Sequence, residues 1–258
     1  MLRTVPAFVV SLAFVLALQG QRFRYPGEYE DLPIPADAAE KTEFYFARLQ
    51  YSSYAGGWRR GSWATDYPKA DRQFLQGVRR LSRISARSVE QVIAPDSPEL
   101  FNYPWIYAVE VGRWSISDAQ GLKLREYINR GGFLMVDDFH GTEEWEVFVE
   151  GLRKIFPDRT VIDLENSQPV FHVLYDLDSR FQVPGIQFLR SGSTSEKDGF
   201  EPKWRGIFDE KGRLVVAICH NMDLGDAWEW ADYPAYPERY ASLAYRVGLN
   251  YIIYPMTH

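Results

Sequence analysis

Two segments concentrate the acids and imidazoles from which a reactive or binding site can be built. The first runs from Gly131-Gly132 through the apolar stretch Phe133–Val136 into Asp137, Asp138, Phe139 and His140. The second follows the apolar run ending at Cys219 and supplies His220, Asn221, Asp223 and Asp226. An imidazole beside carboxylates suits general acid–base catalysis, and the same groups can hold a divalent cation that activates water. Asp138, His220, His140 and Asp223 are therefore the candidate catalytic set, with Asp137 and Asp226 as companion ligand-binding positions. Neighbouring residues of an extended strand point to opposite faces, so only one of Asp137 and Asp138 is expected to face a shared crevice. Each carboxylate also has a plainer use: Asp137 or Asp138 as helix cap, and Asp223 with Asp226 as a brace around Gly225. No HxxxH or HExxH pair is present, so the spacing leaves open whether a metal binds and which one.

The remaining internal histidine, His172 in Phe171-His172-Val173-Leu174-Tyr175-Asp176, reads either as a ligand-binding residue or as a hydrogen-bonded structural one. Residues 52–68 mix Gly56-Gly57 with Trp58, Arg59, Arg60 and Trp63. Aromatic faces beside guanidinium donors suit sugars, carboxylates or a partner protein. Trp58, Arg59, Trp63 and Asp66 are candidate ligand contacts there, and Asp66 alternatively caps a helix opening at Pro68.

These residues need a scaffold, and the pattern from residue 43 onward supplies one by alternating strand-like and helix-like stretches. Glu43–Tyr51, Val89–Ile93, Trp105–Val111, Phe133–Val136 and Val161–Leu164 read as strands, and Arg205–Asp209 with Arg213–Cys219 as a hairpin. Helices are expected over Pro68–Leu81, Asp118–Arg130 with Ser117 as cap, Glu143–Ile155 and Glu238–Ile253. Residues 165–204 are turn-rich and 220–237 read as loop. Such alternation predicts an α/β domain with a mainly parallel sheet, in which ligands bind at the carboxyl ends of strands.

The chain has 258 residues, 46% of them hydrophobic, enough for a sizeable core. A net charge of −6, with Lys+Arg 29 against Asp+Glu 35, argues against nucleic acid as partner. One cysteine excludes an intrachain disulfide framework and a multi-cysteine zinc site. Arg3 ahead of the apolar stretch Val5–Leu18 reads as a secretory signal over residues 1–20, shorter than the ~20 apolar residues a bilayer span needs. Residues 21–42 then form an irregular lead-in to a domain over 43–258. These features predict export to a periplasmic or extracellular location, with no membrane span once the signal is cleaved.

Thr65-Asp66-Tyr67-Pro68-Lys69-Ala70-Asp71, the run 131–141, Phe156-Pro157-Asp158-Arg159, residues 171–177, 205–216 and 220–229 together resemble domain-of-unknown-function family 4159, over about residues 43–254. The resemblance implies a class I glutamine amidotransferase-like, flavodoxin-like three-layer sandwich and no assigned activity. Amidotransferases of that superfamily carry a nucleophilic cysteine on a strand-to-helix elbow, a position that falls at about Asp138, and a histidine that falls at His220. Thiolate glutaminase chemistry is thus not expected. Two functions compete: a module binding a small-molecule, glycan or envelope-protein ligand, and a hydrolase using the Asp/His crevice, with a divalent metal as an option; the residues leave the cofactor unknown.

Overall fold

Short apolar runs that must be buried on both faces form the centre of the sheet. The computed structural model describes residues 34–53 and 62–258. Its strands are β1 (Ala47–Leu49), β2 (Ser52–Ser53), β3 (Gln91–Ile93), β4 (Trp105–Val109), β5 (Trp114–Ser115), β6 (Phe133–Asp137), β7 (Ile162–Asp163), β8 (Lys203–Phe208) and β9 (Leu214–His220). Every residue of β4, β6 and β9 is buried, as expected of strands covered on both sides.

The main sheet has seven strands in the order β3-β1-β4-β6-β9-β8-β7, and β2 pairs with β5 separately. β3, β1, β4, β6 and β9 are mutually parallel, whereas β8 runs antiparallel to β9 and β7 antiparallel to β8. Counted along the chain, the parallel strands stand 2-1-3-4-5. The winding therefore reverses between β1 and β4, and the carboxyl ends of such a pair are where open α/β sheets ordinarily bind ligands.

Helices cover both faces. α1 (Lys69–Leu81), α5 (Leu224–Glu229) and α6 (Glu238–Thr257) pack with Phe46, Tyr107, Met135 and Cys219 in one core. α2 (Asp118–Asn129) and α3 (Gly141–Ile155) pack with Ile106, Leu134, Val136 and Ile218 in the other. A further short helix, α4, spans Phe188–Ser191. Ser117 starts α2 with a capping box, its hydroxyl accepting from Gln120 N–H while the Gln120 side chain returns to Ser117 N–H.

The α/β architecture with a mainly parallel sheet is present, with local differences at the ends of elements. The first strand is regular only over Ala47–Leu49, where it pairs with β3 over three residues and with β4 over two, with an isolated bridge from Phe44 to Ala86 ahead of it. α3 begins two residues early, at Gly141, whose positive φ of 76° turns the chain into the helix. Part of the expected 220–237 loop is helical, since Asp223 caps α5. Among the described residues no helix is long and apolar enough to cross a membrane.

Candidate functional site

A buried cation fixes the first arm of the site. Arg48, on β1, is fully buried and donates from Nε to Asp71 Oδ2 at 2.8 Å, with a second, shorter contact from Nη2 to Asp71 Oδ1. Its Nη1 donates to the carbonyl oxygens of Trp63 and Thr65 at 3.0 and 2.9 Å. One guanidinium thus ties α1 and the 63–65 backbone to the sheet and holds Asp66 beside it. Asp66 does not cap α1 with its side chain: its backbone carbonyl accepts from Ala70 N–H, and Oδ2 is buried with no hydrogen-bond partner.

The second arm comes from turns at the carboxyl edge of the sheet. The first residues beyond β4, β6 and β9 are Glu110, Asp138 and Asn221, and all three have positive φ, at 53°, 53° and 64°. Left-handed backbone costs a non-glycine residue roughly 1–2 kcal/mol, and three such turns along one sheet edge mark a place where geometry is held against local preference. The β6 and β9 turns are laced together: Asp138 N–H donates to Met222 O, and Asn221 N–H to Phe139 O. The Asn221 side chain accepts from Gly141 N–H at 2.9 Å and donates to Glu201 O at 2.8 Å.

These turns sort the two adjacent aspartates into different tasks. Asp137 is fully buried, and its Oδ2 accepts from Tyr107 OH and from Leu224 and Gly225 N–H, securing the start of α5; its Oδ1 has no partner. Asp138, turned by its positive φ, joins Asp66 and Asp223, and one carboxylate oxygen from each lies within 4.8 Å of the others. Asp223 caps α5 through Asp226 N–H at 2.8 Å. Asp226 accepts from Ile186 N–H at 2.7 Å and Trp230 Nε1 at 3.1 Å. Asp66, Asp226 and Glu229 form an adjoining acidic group.

Desolvation dominates the electrostatics. Burial first, and then the neighbouring carboxylates, pushes Asp66, Asp138 and Asp223 well above the ordinary carboxylate range. Asp137 is pushed up to about 7 by burial, against the pull of the α5 N–H groups. Glu110 is raised to about 8 by burial and by Asp138. His140 approaches Asp138 Oδ1 with Nε2 at 3.2 Å, leaves Nδ1 without a partner, and is held below the usual imidazole range by burial. Negative charge is costly in such a cluster, and positive charge or hydrogen-bond donors would offset that cost.

The structure brings Asp66, Asp138, His140, Asp223 and Asp226 to this edge, with Asp137 beneath them. His220 lies in the other layer, its ring stacked on Phe139 at 4.7 Å and beside Trp145 at 4.9 Å, with Nε2 donating to Gly141 O. His172 bonds to Asp176 Oδ1 and Asn166 O, away from the acidic group. The Trp63 ring packs on Tyr67 and the α2/α3 core. Trp58 and Arg59 lie outside the described residues, as does the expected signal segment.

Sequence reasoning missed Arg48, Tyr107, Glu110, Gly185 and Glu196, the last with Oε1 3.7 Å from His140 Nε2. Glu110 was findable, since it follows a buried strand as Asp138 does. Gly185 was not: it comes from the turn-rich 165–204 segment, and a Cβ there would lie 2.6 Å from Asp226 Oδ2 and closer still to Asp223 Oδ2. Cys219 is fully buried, with its thiol pushed well up by that burial, and sits within a strand rather than on an elbow.

A search of curated proteins finds no match. Residues 45–256, most of the chain, match the family described as Domain of unknown function (DUF4159), and the protein belongs to that family.

Proposed function

We propose that the protein is an exported ligand-binding module of flavodoxin-like, amidotransferase-like fold. Its site is the acid-lined crevice at the carboxyl edge of β1, β4, β6 and β9. The strand order 2-1-3-4-5 supports the fold assignment. Export rests on Arg3 and the apolar stretch that follows it. The observation that carries the binding reading is the pair of buried, partnerless carboxylate oxygens, Asp66 Oδ2 and Asp137 Oδ1, amid further acids. Buried polar groups are ordinarily hydrogen-bonded within the protein, so two unmet carboxylate oxygens side by side with further acids support a place for a ligand. The ligand therefore presents positive charge or donors to the crevice. The Asp138–His140 contact favours, as a second reading, acid–base hydrolysis at the same place.

The test separates a site from a structural network. Asp138→Asn keeps the shape and a residue tolerant of positive φ while removing a charge that burial disfavours. In chelator-containing buffer at pH 7, the variant should be more stable by about 0.5–2 kcal/mol, as expected when a residue serves binding at the expense of folding. A loss of several kcal/mol in urea denaturation would make the cluster structural and refute the reading.

A further inference from the structure

Resting on that functional reading, we propose that Asp66, Asp138 and Asp223 together hold a hard divalent cation. Calcium–oxygen bonds of about 2.3–2.6 Å put oxygens on opposite sides of the ion about 4.6–5.2 Å apart. The three carboxylates already offer oxygens within 4.8 Å of one another, so they can share one ion without rebuilding the backbone. All three donors are carboxylate oxygens, which selects calcium, magnesium or manganese over the softer metals that prefer sulfur or imidazole.

One observation beyond proximity points to a ligand. Asp66 is only 7% exposed, and its buried Oδ2 has no donor. That oxygen faces the start of α5, lying 2.9 Å from where a Gly225 Cβ would stand; the same point is 3.7 Å from Asp223 Oδ1. Gly185 packs directly against the cluster: a Cβ there would lie 2.6 Å from Asp226 Oδ2 and closer still to Asp223 Oδ2 and Gln187 Oε1, so a side chain at this position displaces the Asp223 carboxylate. The three ligands are also held by backbone, on the Arg48-anchored segment, the β6 turn and the α5 cap. The adjoining group with Asp226 fits less well, because both Asp226 oxygens already accept hydrogen bonds from Ile186 and Trp230.

Isothermal titration of calcium, magnesium and manganese chlorides into the chelator-stripped full chain tests the proposal. Wild type and the exposed control Glu210→Gln should bind at least one of these ions saturably with equal affinity. Asp138→Asn and Gly185→Ala should each bind at least tenfold more weakly while melting cooperatively in EDTA. If Asp138→Asn does not fold, Asp66→Asn and Gly185→Ala decide. Absence of saturable binding to folded wild type up to about 10 mM, above the range of weak extracellular calcium sites, overturns the proposal. Unchanged affinity in the variants does so equally. Either result leaves the metal-free stability test of the crevice standing, so the two ideas fail separately.

Discussion

Replacing His220 with glutamine should remove a specific part of the acid sensitivity of folding. The ring is 5% exposed, wedged between Phe139 and Trp145, and burial lowers its pKa from 6.5 to about 4. Arg205 lies 3.4 Å from Nδ1, so the neutral form accepts there and donates from Nε2 to Gly141 O. Below pH 6.5 the unfolded chain binds a proton that the native chain refuses until about pH 4. Stability therefore falls as pH drops through that window and is unaffected by this group above it. At about 1.4 kcal/mol per pH unit, the full loss is about 3 kcal/mol. Glutamine can still donate to Gly141 but loses the aromatic stack, a cost that does not vary with pH. Urea denaturation of both proteins from pH 7.5 to 4 reads the difference. Wild type should start more stable, and its advantage should shrink by about 3 kcal/mol across the window. An advantage that stays constant with pH would refute the reasoning.

Two further predictions concern the frame that holds the site. Asp71→Asn leaves Arg48 buried beside a neutral partner and should cost about 3–5 kcal/mol, whereas Arg48→Met with Asp71→Leu should recover part of that loss, both read by denaturant midpoints. Ser117→Ala removes the hydroxyl acceptor of the α2 capping box and should lower stability by about 1 kcal/mol without changing cation binding.

The sheet's centre was legible because Phe133–Val136, between Gly131-Gly132 and Asp137, and Val215–Cys219, ahead of His220, are short apolar runs, and the rule about strand ends then led to Asp138 and Asp223. Helix α2 was equally readable from Ser117 to Gly131. Side-chain direction at the turns was harder to read. The sequence pairs His220 with Asp138, but strand alternation sends His220 into the α3 layer, while positive φ swings Asp138 toward Asp66. Arg48 was invisible because a charge inside an apolar strand reads as a surface position until its partner on α1 is known. The 165–204 segment, with little regular structure, hid Gly185 and Glu196, since local pattern says nothing about which sheet edge a long loop covers.

What occupies the space among Asp66, Asp138 and Asp223 decides whether this edge of the sheet is a cation site. Crystals of the full chain grown with manganese chloride, recorded at a wavelength where manganese scatters anomalously, locate the ion directly. The expected result is an anomalous peak about 2.0–2.6 Å from one oxygen of each of the three carboxylates. Manganese found only at other acids, with Asp66, Asp138 and Asp223 instead bonded to protein donors, would contradict it.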